Sequence, residues 1–310
     1  MTGLMNETVH VGSVGGTRSS LYVVATPIGN LADISLRALE VLKQVDVIAA
    51  EDTRVTSHLL KHYGIATRLF ALHEHNERRA AEKLIDLLAA GKSVALVSDA
   101  GTPAISDPGA LAVAAVREAG YPVIAVPGAN AALCALAAAG SPTPHFLFYG
   151  FLPQQSSARN RELELLKPQP YLLVFYEAPH RVDESIADMA GVFGAGRGVV
   201  IARELTKIFE SIHRCTLGEA AAWFAADANR MRGEFVLLVD AAEPADTAND
   251  EAAVRTLEIL LRELPLKQAV QLAVEISGGA RNTLYRRALE LKKSGALPDA
   301  EETALPAAQS

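Results

Sequence analysis

Five short apolar runs, each followed by a segment with helical periodicity, most constrain what this chain can fold into. The runs occupy residues 21–25, 45–50, 69–72, 94–97 and 123–126. Strands that alternate with helices pair in parallel, because each returning helix brings the next strand to the same end of the sheet. The pattern therefore predicts a doubly wound, parallel α/β domain over residues 21–142.

A Gly-Ser-Pro-Thr-Pro break at residues 140–144 interrupts this alternation and predicts a linker. Later strand-like runs are less regularly spaced, and some are close enough to form a hairpin; they occupy residues 146–148, 172–175, 199–202, 211–215 and 235–239. We therefore predict a second α/β domain, with a mixed sheet, over residues 145–241. A polar segment at residues 241–251 predicts a second linker.

The end of the chain has helical patterns at residues 266–276 and 282–293, on either side of a Ser-Gly-Gly-Ala turn. Two short helices around a glycine turn predict a helix-turn-helix, which we assign to residues 251–295. Five basic residues between 281 and 293 stand against one acid, Glu290. The alternative is a solvated helix pair that serves only stability or dimerisation. We expect residues 1–20 and 296–310 to be a disordered leader and tail.

The chain has 310 residues and a formal net charge of -7, so a polyanionic ligand requires a local basic patch. No apolar run approaches the ~20 residues of a membrane span, and the leader lacks the apolar core of a signal peptide. Cys134 and Cys215 are far apart and have no metal-binding spacing, which indicates thiols in a reducing compartment. These features predict a cytoplasmic protein.

The loops after the first five strands carry the candidate site, because open α/β sheets bind ligands at the carboxyl ends of their strands. They are polar or rich in glycine and proline, and occupy residues 26–30, 51–54, 73–77, 98–109 and 127–130. The first loop has a single glycine and lacks the G-x-G-x-x-G pattern, and no lysine-containing phosphate loop is present. Nicotinamide oxidoreduction is therefore disfavoured.

The densest loop, residues 98–109, contains two glycines, two prolines and two aspartates. It predicts a stiff ligand-binding loop in which Asp99 hydrogen-bonds a hydroxyl or ammonium group, whereas Asp107 caps a helix that begins at Pro108. His73 and His75 are expected to face the same way on an extended segment. A metal site there would need a third ligand, and none is evident, so substrate binding or surface polarity is the preferred interpretation.

Charged residues also follow strands elsewhere. Glu51, Asp52 and Arg54 follow the second strand. They are either part of a functional site or a local ion pair with a helix cap. In the second domain, Glu177 and Arg181 are predicted to reach an inter-domain cleft. Arg203 and Lys207 are candidates for phosphate contacts, with a structural Arg–Glu pair as the alternative.

The combined loop motifs resemble those of the tetrapyrrole methylase family, on a branch that methylates ribosomal RNA. The matching segments run from residue 21 to about 239 and read VATPIGNLADIS, AAEDTR, HEHNE, SDAGTPAISDPG, VPGANA, FYGFLP, FYEAPHR and RELTK. The resemblance implies a homodimer that binds S-adenosylmethionine in a cleft between two α/β domains. It also implies 2′-O-methylation of a cytidine ribose in 16S ribosomal RNA, either free or in the small ribosomal subunit.

The same resemblance implies cofactor contacts at Pro27, Ile28, Asp99, Gly101, Thr102, Ala104, Asn130, Ala131, Phe151 and Gly233. Expected substrate-binding residues are Arg54, His73, His75, Asn76, Arg181, Arg203, Arg281, Arg286 and Arg287. A ribose hydroxyl is a poor nucleophile, so a base or a charge-stabilising group is expected among Glu51, Asp52, Glu177 and Lys207.

Two other functions stay open on the sequence alone. One is tetrapyrrole C-methylation on the same fold, although a soluble macrocycle has no need of basic C-terminal helices. The other is a non-catalytic nucleic-acid-binding regulator, although such a protein has no need of intact cofactor loops.

Overall fold

The computed structural model describes residues 19–141, 143–242 and 251–293. The predicted tail lies outside these residues, as do the predicted leader, apart from Ser19 and Ser20, and most of the second linker. The chain divides into two compact units, of which the larger ends at Ala241 and the smaller contains the helices beyond it. Within the described residues, no helix is both long and apolar enough to cross a membrane.

The first sheet has five parallel strands in the order β3-β2-β4-β1-β5, which confirms the predicted parallel sheet. The strands are β1 (Leu21–Val24), β2 (Val47–Ala50), β3 (Arg68–Ala71), β4 (Val94–Val97) and β5 (Val123–Val126). Both faces of the central strand β4 are buried, as expected for a run of four apolar residues between helical layers.

Helices from the same segment cover both faces of this sheet. They are α1 (Leu36–Gln44), α2 (Thr53–His62), α3 (Glu77–Ala89) and α4 (Ala110–Glu118), and a fifth helix, α5 (Ala131–Ala139), follows β5. Val41 of α1 and Leu60 of α2 pack in one apolar cluster, whereas Leu84 of α3 and Val116 of α4 pack in another. This two-sided layering orients the carboxyl ends of all five strands towards one edge.

The second sheet is mixed, as predicted, and its order is β6-β7-β10-β8-β9. Its strands are β6 (Phe146–Phe151), β7 (Leu172–Glu177), β8 (Gly198–Arg203), β9 (Ser211–Thr216) and β10 (Phe235–Val239). β6 and β7 are parallel, and β8 and β9 form the expected antiparallel pair. The last strand, β10, inserts antiparallel between β7 and β8, so all five of its residues are buried.

Alternate residues of the second sheet pack against different helices. One face packs on α6 (Ser156–Leu166), α7 (Val182–Phe193) and α8 (Leu217–Ala225). The other face packs on α5, where Ala132 and Ala135 share a cluster with Val174 and Leu238. Helix α5 therefore follows the last strand of the first sheet but packs against the second.

The described part of the smaller unit contains three helices, α9 (Glu251–Glu263), α10 (Leu266–Ser277) and α11 (Arg281–Lys293). Leu257, Val270 and Leu284 contribute one residue from each helix to a shared apolar core. Helix α10 ends at Gly278, whose φ of 69° gives the left-handed cap that the predicted turn requires. The sequence analysis did not separate α9 as a third helix of this unit.

Candidate functional site

A cavity of about 350 Å³ lies between the carboxyl ends of the first sheet and the second sheet. Its volume is within the range of roughly 300–1,000 Å³ that is typical of small-molecule sites. Residues from both sheets line it: Ile28, Ala100, Gly101, Thr102, Ile105, Ser106, Asp107, Asn130, Ala131, Phe151, Tyr176, Glu177, Ala178, Pro179, Leu205, Glu234, Phe235 and Val236.

Backbone hydrogen bonds tie three strand-end loops together beside this cavity. The N–H of Thr26 donates to the carbonyl oxygen of Gly101 at 2.8 Å, and the N–H of Gly101 donates back at 3.0 Å. The hydroxyl of Thr102 donates to the carbonyl oxygen of Ala129 at 3.1 Å. These bonds bring together Ile28, Gly101, Thr102, Asn130 and Ala131, all of which the sequence analysis expected at the cofactor site.

The donor set of the cavity fits S-adenosylmethionine, which carries a carboxylate, two cationic centres and a flat base. The N-terminus of α5 suits a carboxylate through its positive dipole, although the N–H groups of Ala132 and Leu133 already donate to the hydroxyl of Tyr176 and the side-chain oxygen of Asn130. The carboxyl group of Asp107 suits a cation. Ile28, Phe151 and Val236 provide apolar surface for a base.

Four expected cofactor residues flank the cavity without lining it. Pro27 precedes Ile28, Asp99 precedes Ala100, Ala104 precedes Ile105 and Gly233 precedes Glu234. Ala104 has a φ of 65°, which is unusual for a residue with a side chain and turns the loop sharply. The sequence analysis missed several lining residues, namely Ile105, Ser106, Tyr176, Leu205, Glu234 and Val236. Ile105 and Ser106 lie in the loop that was expected to bind a ligand, and the positions of Tyr176 and Val236 near strand ends were the sequence signal for those two.

Glu51, Asp52 and Asp99 form a linked group of carboxylates at the ends of β2 and β4. An oxygen of Glu51 accepts the N–H of Asp99 at 3.2 Å, and an oxygen of Asp99 accepts the N–H of Asp52 at 2.9 Å. Burial raises the pKa of Glu51, and the neighbouring carboxylates of Asp107, Asp99 and Asp52 add to this effect. Burial also raises the pKa of Asp99.

Asp52 differs from its two neighbours, because Arg54 pairs with it at 2.6 Å. The hydrogen bonds from the side chain and backbone of Arg54 lower the pKa of Asp52 to about 2. Asp52 also caps α2 by accepting the N–H of Arg54. The ion pair and helix cap that the sequence allowed as an alternative are both present, although Arg54 itself is 87% exposed.

Glu177 is buried and fully engaged. Its Oε2 accepts the hydroxyl of Ser185 at 2.6 Å and its Oε1 accepts the N–H of Ala178 at 2.9 Å. Arg181 lies 3.4 Å from Oε1 as an ion pair, although its Nε lacks hydrogen-bond geometry. Nη2 of Arg181 instead donates to the carbonyl oxygens of Leu152 and Pro153. Arg181, expected to bind substrate, is 13% exposed and holds the loop after β6.

The structure corrects the expectation of a phosphate contact at Arg203. This side chain is buried, and its nitrogens donate to the carbonyl oxygens of Arg232, Phe209 and Asn229 at 2.6, 3.0 and 2.8 Å. The alternative of an Arg–Glu pair is also wrong, since all three acceptors are backbone carbonyls. Arg203 therefore organises the loops around the start of β10.

Lys207 forms ion pairs with Glu204 at 2.9 Å and Glu234 at 2.8 Å. Partial burial on its own would lower the pKa of Lys207, but the two hydrogen-bonded carboxylates outweigh it and raise the pKa. The stem of Lys207 lies directly over Gly29, where a Cβ atom would collide with it. Lys207 is therefore a protonated group at the rim, between the loops that follow β1 and β8.

The loop after β3 contains a single 3-10 turn at Glu74–Asn76, where the sequence analysis expected an extended segment. The ring centroids of His73 and His75 are 6.0 Å apart and the ring planes differ by 68°. Asn76 closes the turn, since its side-chain oxygen accepts the N–H of His73 and its amide donates to the carbonyl of Ala71. Among the described residues, no group of three His, Cys, Asp or Glu side chains could hold a metal ion.

Asp107 does not cap α4, so that prediction is wrong. Helix α4 begins after Gly109, and its first amides bond instead to Glu77, which the sequence analysis did not single out. Asp107 faces the cavity. Burial raises the pKa of Asp107, and a hydrogen bond with Ser98 opposes the shift.

A model of the Tetrapyrrole (Corrin/Porphyrin) Methylases matches residues 20–221, which is more than half of the chain. The chain belongs to the tetrapyrrole methylase family. A second model, described as RsmI C-terminal HTH domain, matches residues 247–292. The family membership agrees with the predicted fold and accounts for a cofactor cavity without a glycine-rich dinucleotide loop.

Two relatives cover nearly the whole chain. Ribosomal RNA small subunit methyltransferase I of Escherichia coli O157:H7 is 51% identical over 278 residues, which is 90% of this chain and 97% of that protein. The protein of the same name from Pseudomonas aeruginosa is 51% identical over 274 residues, or 87% and 97% of the two chains.

Solved structures share the fold at much lower identity. A cobalt precorrin-4 methyltransferase is 18% identical, with a TM-score of 0.54, over 72% of this chain and 95% of that one. A diphthine synthase is 13% identical, with a TM-score of 0.54, over 71% and 90% of the two chains. At these identities the likeness shows a shared fold and says nothing of substrate.

Proposed function

We propose that this chain transfers a methyl group from S-adenosylmethionine to the ribose 2′-hydroxyl of a cytidine in 16S ribosomal RNA. The observation that carries the proposal is 51% identity, over 90% of the chain, to a protein named ribosomal RNA small subunit methyltransferase I. The C-terminal helices match a model named for the same group of proteins, so the likeness extends beyond the methylase fold.

The cavity is the proposed cofactor site, with Ile28, Gly101, Thr102, Asn130 and Ala131 on one side and Phe151 on the other. When bound, S-adenosylmethionine supplies an electrophilic methyl group on a sulfonium. A fold neighbour, uroporphyrin-III C-methyl transferase from Thermus thermophilus, was solved with S-adenyl homocysteine (16% identity, TM-score 0.52, covering 71% and 97% of the two chains). That complex supports an adenosyl ligand for this fold, and the chemistry of the lining supports it for this chain.

By elimination among the four candidates, Glu51 is the proposed base, at the strand-end edge where it accepts the N–H of Asp99. A general base must be ionised before the reaction and must accept a proton during it. A carboxylate with a raised pKa therefore serves better than one with a lowered pKa. Asp52 has a lowered pKa, Glu177 is fully hydrogen-bonded in a buried position, and Lys207 is protonated. Lys207 is instead suited to stabilise negative charge that develops on the ribose oxygen.

Two surfaces are proposed to bind RNA. At the strand-end edge of the first sheet, Arg54 and His75 are exposed, and His73 and Asn76 order the same loop. In the smaller unit, Arg281, Arg286 and Arg287 are exposed on α11. Guanidinium groups bind phosphate in bidentate fashion, so these side chains suit the RNA backbone.

The proposed active form is a homodimer in the cytoplasm, where its substrate is 16S ribosomal RNA, either free or in the small ribosomal subunit. Ile208 is 95% exposed and Phe209 is 70% exposed, on the loop between β8 and β9 beside the site. Large apolar side chains exposed side by side are typical of protein interfaces, which supports association through this loop.

Methyl transfer to unmodified ribosomal RNA tests the proposed function. Labelled S-adenosylmethionine is incubated with the protein and either small ribosomal subunits that lack the modification or free 16S ribosomal RNA, and the labelled nucleotide is mapped. We expect label on one cytidine ribose. Label on an added tetrapyrrole substrate would favour C-methylation, and cofactor binding without transfer to any substrate would favour a regulator.

A further inference from the structure

The first turn of α4 has no capping side chain of its own. Its N-cap is Gly109, which has a φ of 129°. A Cβ atom at this position would also lie 2.9 Å from a side-chain methyl group of Leu96. The positive φ and the close contact both disfavour any residue other than glycine. The N–H groups at the start of α4, which have no partner within the helix, therefore need an acceptor from another part of the fold.

Glu77, the first residue of α3, supplies this acceptor. Its Oε1 accepts the backbone N–H groups of Gly109 at 2.9 Å, Leu111 at 2.8 Å and Ala112 at 3.2 Å. The last two are the groups that a capping Ser or Asp satisfies in an ordinary helix. Because Glu77 is buried, water competes little for these bonds, and its charge lies at the positive end of the helix dipole.

The three bonds hold one end of a loop that forms a wall of the cavity. Between Gly101 and Gly109, this loop contributes Thr102, Ile105, Ser106 and Asp107 to the lining. Its first end is fixed by the paired bonds between Gly101 and Thr26. Its other end meets α4, where Glu77 provides the hydrogen bonds from outside the loop.

We propose that Glu77 is a positioning residue for the cofactor site. By holding Gly109 and the first turn of α4, its carboxylate keeps Ile105, Ser106 and Asp107 in the cavity wall. Glu77 touches no ligand itself, and its effect passes through the loop backbone. The inference rests on the proposed function only for the identity of the ligand, S-adenosylmethionine.

The test compares Glu77→Ala and Glu77→Gln with a control cap far from the cavity. Thr216→Ala removes the capping side chain of α8, so it lowers stability without touching the loop. We expect Glu77→Ala to raise the Kd for S-adenosylmethionine about tenfold by calorimetry, since small displacements of a binding wall are costly. Glu77→Gln keeps an acceptor oxygen and should restore most of the affinity. Thr216→Ala should lower the melting temperature and leave the Kd unchanged.

An unchanged Kd in Glu77→Ala, together with a lower melting temperature, would overturn the proposal and leave Glu77 a purely structural residue. If Glu77→Ala does not fold, Glu77→Asp replaces it, because the shorter side chain withdraws the acceptor. Equal Kd values for Glu77→Asp and Glu77→Gln would then overturn the proposal.

Hydrogen exchange keeps this inference separate from the proposed function. Absence of S-adenosylmethionine binding by the unaltered protein would contradict the proposed function. The inference would then depend on amide exchange at residues 105–107 and 109–112, compared between the unaltered protein and Glu77→Ala. Faster exchange in the variant supports it, and equal rates overturn it.

Discussion

Two carboxyl groups near the cavity, those of Glu51 and Asp107, have pKa values that burial raises. Their surroundings differ in one respect that decides their roles. Asp107 lines the cavity, where a cation is proposed to bind, whereas Glu51 follows β2, does not line the cavity and accepts the N–H of Asp99. Removing each charge should therefore give a different signature, one in catalysis and the other in stability.

Glu51→Gln should lower kcat by about 100-fold or more, which is the range for loss of a general base. In the unaltered enzyme, activity should fall as the pH drops through the raised pKa of Glu51, because only the carboxylate accepts a proton. This decline in rate at low pH should be missing from the pH–rate profile of the variant. Steady-state methyl transfer between about pH 5 and 9 measures both effects.

The exposed substitution Glu118→Gln, at the far end of α4, is the control for loss of one carboxylate. It should keep full turnover. A Glu51→Gln enzyme that binds cofactor normally and retains the kcat and pH profile of the control would remove Glu51 as the base.

Asp107→Asn should make the cofactor-free protein slightly more stable at about pH 8. A carboxyl group with a raised pKa binds more protons in the folded state, so its contribution to stability falls as the pH rises through that pKa. The amide of the variant carries no charge and avoids this loss. We expect a gain of less than about 1 kcal/mol, because solvent screens the partly exposed group.

Thermal melts at about pH 3 and pH 8 measure this prediction. The difference between Asp107→Asn and the unaltered protein should be larger at the higher pH, since both carry a neutral side chain at low pH. A variant that is relatively less stable at the higher pH would show that the ionised carboxylate stabilises the fold.

At the scale of elements, several charged residues in the motif loops hold the backbone in place and do not line the cavity. Arg181 holds the loop after β6, Arg203 holds the loops around β10, and Glu77 holds the start of α4. They bond to carbonyl or amide groups of other segments, as buried charges require, and Nε of Arg181 is the exception without a hydrogen bond. The motifs therefore contain both residues that line the cavity and residues that hold its loops in place.

The basic side of α11 gives a prediction at this scale. A variant with Arg281, Arg286 and Arg287 all changed to Ala should bind 16S ribosomal RNA about tenfold more weakly or worse. The magnitude of the slope of log K against log salt should fall by about 2. The reason is that binding releases fewer counterions when phosphate contacts have been lost. Filter binding across a salt series measures both quantities, and cofactor affinity should not change.

A matched control exists within the same unit. Arg255, Arg262 and Lys267 are also exposed, on α9 and at the start of α10, and changing them to Ala removes the same charge. Their loss should have a smaller effect on affinity and slope. Equal effects from both triple variants would indicate general attraction by net charge rather than recognition by α11.

For the whole molecule, the exposed pair Ile208 and Phe209 is the feature that a monomer does not explain. Changing both residues to Asp should convert the proposed dimer into a monomer, because two charges would have to be desolvated in the interface. Light scattering coupled to gel filtration measures the mass directly. Leu165→Asp on α6 is the control, since Leu165 is also exposed and lies elsewhere. A monomeric unaltered protein, or a variant that stays dimeric, would contradict this assignment.

Much of the architecture was predictable from the sequence, because the signals are local. The apolar runs of β1 to β5 and the helical spacing between them depend only on neighbouring residues, and they predicted the parallel sheet. The same holds for the glycine turn between α10 and α11. Several cavity residues, such as Ile28, Thr102 and Asn130, were expected because their loops follow strands and match a family pattern.

Only the tertiary structure decided which side chains meet. Glu77 and Gly109 are 32 residues apart, and no spacing rule links the end of one motif to the end of another. The insertion of β10 between β7 and β8 likewise creates the environment that buries Arg203 and brings Val236 into the cavity. The sequence by itself therefore determined the layers and the edge where the site lies, since periodicity is local. The roles of individual charged residues depended on long-range packing, because burial and hydrogen-bond partners exist only once distant segments are adjacent.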